Sequence, residues 1–114
     1  MDLGAKLQVK EGKAVSVINA PRGLKLGIKV TKGPSDAVLF FAKDSATLMG
    51  GGESAVQAAK ADKLCWIAYP KAGQLGTDLN RDKLWALLKR AGIEPVRQVS
   101  LDEVWSALRF RPSK

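Results

Sequence analysis

The chain has 114 residues, 46% of them apolar and 26% charged, and a formal charge of +8 at neutral pH. That length suits a single domain spanning residues 1–114, able to bury about two-thirds of the surface its unfolded chain exposes. The absence of histidine excludes Ser-His and Cys-His nucleophile pairs, the HExxH metal site and imidazole acid–base work, and one cysteine excludes an internal disulfide or a zinc site.

LGAKLQV (3–9) spaces Leu3, Leu7 and Val9 as a short leading helix would. AVSVIN (14–19) is β-branched, apolar and bounded by EGK and APRG, which predicts a buried strand. GIKVTK (27–32) alternates Ile28 and Val30 with lysines, as a half-exposed strand does. Only about seven residues separate these two strands, too few for a full crossover helix. DAVLFFA (36–42) reads as a strand buried on both faces. In KDSATLMGGGESAVQAAKAD, Asp44 or Ser45 caps a first helical turn, the glycines at 50–52 interrupt it, and Ser54 restarts it toward Ala61. No lysine–serine pair follows those glycines, so they are not a phosphate loop.

LCWIAY (64–69) is a further apolar strand, and its Cys65 reads as packing material. Asp78 or Asn80 then starts a helix that runs to Ala91, with Leu84, Leu88 and Ala91 on one face and Gly92 as its left-handed stop. Trp66 and Trp85 read as core. PVRQVSL and VWSALRF, separated only by Asp102 and Glu103, predict an antiparallel hairpin. Strands alternating with helices before a hairpin predict an α/β fold: an open, mostly parallel twisted sheet with one antiparallel strand. No apolar run approaches the ~18 residues of a membrane span. MDLGAKLQVKEGK lacks the apolar segment of a signal peptide, so the cytoplasm is the expected location.

That order of elements resembles the closing half of the class I methyltransferase fold, in which a final hairpin inserts an antiparallel strand. More specifically, WIAYPK, TDLNRDKLW and PVRQVSLDEVWSALRFRP, with the opening LGAKLQVKEGKAVSVINAP, are similar to a family of small bacterial proteins known as a domain of unknown function. The resemblance implies a Rossmann-like sheet, here truncated between residues 22 and 32 where the first crossover helix is expected. It leaves the activity open. The methyltransferase analogy would place S-adenosylmethionine on the turn after the first strand. Here that turn reads NAPRG, where Pro21 lacks a donor, and Lys32 stands where an acid would hold the ribose.

In open α/β sheets ligands bind beyond the carboxyl ends of the strands, near the point where strand order reverses. The loops there are NAPRG, KDS and YPKAGQLGTDLNRD, which bring Asn19, Arg22, Gly23, Lys43, Lys71, Gly73, Asn80 and Arg81 to one edge. Helix starts near Ser45 and Asn80 would add backbone N–H groups suited to an anion. The same residues also suit a plain capped turn, in which Asp78 caps the helix and Arg81 pairs with Asp82 or Asp78. Residues 1–34 carry seven basic residues against Asp2 and Glu11, a net of +5. Lys25, Lys29 and Lys32, with Trp105, Arg109 and Arg111 along one face of the last strand, are candidate nucleic-acid contacts.

Three readings follow for function. The first is a binder of a small anionic ligand, a nucleotide or phosphate, with no cofactor. The second is a basic nucleic-acid-binding protein or a homo-oligomeric assembly protein, and the third a degenerate S-adenosylmethionine-dependent methyltransferase. Tyr69, Lys71, Asp78 and Asp82 could handle protons, but no pair of them has a spacing that demands a reaction, so enzymatic activity is left open.

Overall fold

A computed structural model describes residues 15–19, 30–31, 37–71 and 76–113. Within them the chain runs β1 (Val15–Ile18), β2 (Val30–Thr31), β3 (Ala37–Phe41), α1 (Ser45–Gly51), α2 (Glu53–Lys60), β4 (Leu64–Pro70), α3 (Arg81–Lys89), β5 (Ile93–Ser100) and β6 (Trp105–Pro112). The expected leading helix at 3–9, and Arg22, Gly23, Lys25, Lys29, Lys32 and Gly73, lie outside the described residues.

The strands form one mixed sheet in the order β2-β1-β3-β4-β6-β5. β1 pairs in parallel with β2 and β3, and β3 with β4. β6 is antiparallel to both β4 and β5, as its short link to β5 predicts. β1 and β2 are joined through residues 19–29, of which only Asn19 is described.

All five residues of β3 are buried, and their alternation divides the core into two clusters. Val38 and Phe40 join Ile67, Leu108 and Phe110 on the face covered by Leu48 of α1, Ala55, Ala58 and Ala59 of α2, and Leu84 and Leu88 of α3. Ala37, Leu39 and Phe41 join Val15, Trp66, Trp105 and Ala107 on the opposite face. No residue of the described helices enters that second cluster. Phe41 and Trp105 meet edge to face, with centroids 5.1 Å apart and planes at 79°. Such a pair contributes about 0.5–1.5 kcal/mol beyond its buried area.

Local chemistry sets the helix boundaries. Asp44 caps α1 by accepting from the Thr47 N–H at 2.8 Å. Of the three consecutive glycines, Gly52 is the one sterically required, because a Cβ there would lie 2.6 Å from the Leu48 carbonyl oxygen that closes α1. The alanines of α2 let it approach the sheet, and Cys65 Sγ donates to the Ala55 carbonyl at 3.2 Å. Burial pushes that thiol up to about 12. Asn80 caps α3 by accepting from the Lys83 N–H at 2.8 Å, and Gly92, at φ +90°, turns the chain into β5.

Trp66 is buried as expected, whereas Trp85 is 44% exposed on the outer side of α3. Leu84 and Leu88 take the inner stripe, and Trp85, next to Leu84 in the chain, falls outside it. None of the described helices is long and apolar enough to cross a membrane.

Candidate functional site at the carboxyl edge of the sheet

β1, β3 and β4 run in one direction, so their carboxyl ends lie at one edge of the sheet. The β5–β6 turn lies at the same edge, because Pro70 at the end of β4 pairs with Trp105 at the start of β6. From β1 the chain goes to β2 on one side and β3 lies on the other, so strand order reverses between β1 and β3. Asn19 stands at that reversal, exposed, at φ 61°. Asparagine is among the few residues that adopt this left-handed conformation readily. At the end of β3, Lys43 is exposed and makes no ion pair among the described residues.

The two helix starts meet through Asp78. Its carboxylate accepts from the Ser45 N–H at 2.9 Å, from the Ser45 hydroxyl through a short bond, and from Lys83 Nζ at 3.1 Å. These bonds hold the Asp78 carboxyl well below the usual carboxylate range, with the Ser45 hydroxyl the largest cause. The backbone N–H of Thr47, then its hydroxyl, lower Asp44 in the same way. The chain thus presents its own carboxylate to the first N–H of α1, at a point where sequence reasoning anticipates an external anion. Asp78 does not cap α3; Asn80 does, and its side-chain oxygen is engaged. The cation paired with Asp78 is Lys83, not the Arg81 that a capped turn would suggest.

Lys71 follows β4 but turns toward the hairpin. Its Nζ donates to Ser100 Oγ at 2.9 Å and to the Asp102 carbonyl at 2.7 Å, while its backbone N–H donates to the Val104 carbonyl. Asp102 completes the turn by accepting from the Val104 and Trp105 N–H groups at 2.8 and 2.7 Å. Lys71 is therefore a brace of the β5–β6 turn. Arg81 is exposed in the first turn of α3 and makes no ion pair among the described residues. It lies near enough to Tyr69 for its charge to oppose the upward push that burial gives the phenol. The Tyr69 hydroxyl accepts from Gln98 Nε2 at 3.3 Å.

Of the residues anticipated at this edge, Asn19, Lys43 and Arg81 retain exposed polar groups, while Lys71 and Asn80 are committed to internal bonds. The described residues contain no group of three carboxylates or thiols placed to hold a metal. Trp105 is 6% exposed and packs on Phe41, so its ring is not offered to a base. Arg109 is half-buried and Arg111 exposed on the same strand face. Compared with protein-family models and with curated proteins, the chain matches none.

Proposed function

We propose that this chain is a small Rossmann-like protein, related to the bacterial family it resembles, that binds a small phosphate- or carboxylate-bearing ligand at the carboxyl edge of its sheet. The antiparallel β6 lying between β4 and β5, with helices leading into β4 and β5, supports descent from the closing half of a methyltransferase-like sheet. The observation that carries the binding reading is the reversal of strand order between β1 and β3. There the left-handed Asn19 and the exposed Lys43 stand at neighbouring strand ends, and Arg81 lies on the connection beyond β4. An anion at this edge would have to be held against the charges of Asp44 and Asp78, which favours a ligand that reaches Lys43 and Arg81 from the solvent side.

The experiment is titration calorimetry of the purified chain with inorganic phosphate and with ATP, repeated on Lys43→Gln/Arg81→Gln. The expected result is that the double variant binds at least about tenfold more weakly, a loss of about 1.4 kcal/mol, with its thermal midpoint unchanged. Equal binding by both proteins, or no heat with either probe, would overturn the assignment of these two side chains.

A further inference from the structure

We propose that the β5–β6 ribbon carries a second anion surface, distinct from the carboxyl edge, on which Arg97, Arg109 and Arg111 dock the phosphodiester backbone of a nucleic acid. The surface is created by a bulge. Ile93, Glu94 and Pro95 pair with Pro112, Arg111 and Phe110, and then Arg97 pairs with Arg109, leaving Val96 as the extra residue. Strict alternation from the buried Ile93 would send Arg97 toward the helices with Pro95. The extra residue reverses this and places Arg97 on the Arg109 face. Pro95, which has no N–H to give the ladder, is where the regular pairing stops.

Opposite residues of an antiparallel pair share a face, so Arg97 and Arg109 are direct neighbours and Arg111 stands two residues further along β6. Arg97 and Arg111 are exposed. Arg109 is half-buried and already engaged within the fold, so it contributes standing positive charge while its two neighbours make the contacts. Like charges directly opposite each other in a sheet are destabilising. Protection of the edge strand accounts for a charge at residue 97, but its positive sign sets it directly against Arg109, which an acidic residue there would avoid. Glu94, opposite Arg111, is the one acidic residue of β5 and β6 against three arginines; Asp102 and Glu103 lie in the turn, at the far end of the ribbon from Arg111.

The planar guanidinium fork matches the two free oxygens of a phosphodiester. Arg97 and Arg111, diagonal neighbours across the ribbon, are about 7–8 Å apart, a span in which one nucleic-acid strand of a duplex presents phosphates at about 3.4 Å of axial rise each. The chain's net charge of +8 adds long-range attraction to such a partner.

The test uses the whole chain and fluorescein-labelled DNA, a duplex of about 20 base pairs and its single strand, with affinities measured by anisotropy from about 50 to about 200 mM salt. The expected result is salt-dependent binding whose log–log slope on duplex falls by about 0.9 for Arg97→Gln, by about 0.9 for Arg111→Gln, and by about twice that for the double variant. Arg97→Lys/Arg111→Lys should keep the slope, and Lys43→Gln/Arg81→Gln, which removes charge away from this surface, should keep it too while weakening the affinity slightly. Circular dichroism confirms that each variant is folded, and the single variants carry the test if the double variant is not. No binding at the lowest salt, or ribbon variants with the wild-type slope, would overturn the proposal. So would displacement of the DNA by an equal charge concentration of polyglutamate, which would make the partner an acidic polypeptide.

Discussion

The interior of the sheet and the loops at its carboxyl edge are held by different forces. In β3, β4 and β6, alternation sends successive side chains into one of two apolar clusters, and Phe40, Trp66, Ile67 and Phe110 are at or below 1% exposure. At the edge, Asp44, Asp78, Asn80, Lys71 and Asp102 form polar bonds that close two helices and one hairpin turn. The interior tolerates little change in volume because interiors are close-packed. The edge can exchange side chains while the sheet persists, and Lys43 and Arg81 there are exposed.

The largest effect that separates the two regions is expected inside the sheet. Phe40→Ala should cost about 3–5 kcal/mol through lost burial and the cavity left among Leu48, Ile67 and Phe110, a large share of a domain's whole stability. Urea unfolding followed by tryptophan fluorescence measures this; a cost below about 1 kcal/mol would mean the helix-covered cluster does not carry the fold. A smaller cost is expected where the edge meets the hairpin. Lys71→Met keeps the apolar stem but leaves Ser100 and the Asp102 carbonyl without their ammonium partner, at a cost of about 1 kcal/mol. Phosphate and ATP binding should be unaffected. If binding is lost and stability is not, Lys71 belongs to the ligand site and the turn does not need it.

The same division decides what the sequence reveals. Apolar runs announce β3 and β4 because burial on both faces leaves almost no polar residue in the stretch, and the short gap around Asp102-Glu103 permits only an antiparallel link between β5 and β6. Asp44 and Asn80 are legible as caps because their chemistry acts within three or four residues, whereas the helix expected to run to Ala91 ends at Lys89 with Arg90 as its cap, and Gly92 supplies the left-handed turn beyond it. The Asp78–Ser45 contact spans 33 residues and becomes visible only once β3 and β4 are known to be parallel neighbours. Arg97 is hidden for another reason: a one-residue bulge inverts the facing that a period of two assigns to it. Trp85 departs from the expected core because its register beside Leu84 puts it outside the buried stripe, although a large aromatic in a helix suggests burial.

The subtlest expected effect concerns Asp78, where pH can separate charge from shape. The bonds from Ser45 and Lys83 depress the folded-state ionisation of this carboxyl, so the unfolded chain binds its proton more readily than the folded one. The resulting stabilisation is fully present above the unfolded value near 4 and fades as pH falls below it. Asp78→Asn keeps an oxygen able to accept from the Ser45 N–H but removes the charge that Lys83 meets at 3.1 Å. At neutral pH the variant should be only modestly less stable, because the ion pair is about half exposed on each side. The difference should shrink as pH drops from about 4 toward 2, because the unfolded wild-type chain takes up a proton there that the folded carboxyl, held below this range, does not, while the variant has none to take up. Asp44, depressed by its own cap bonds, remains in both proteins and supplies a common acid limb. Thermal midpoints of the two proteins across that range decide the matter. Converging curves assign the link between the two helix starts to the charge of Asp78, and curves that stay parallel assign it to hydrogen-bond geometry alone.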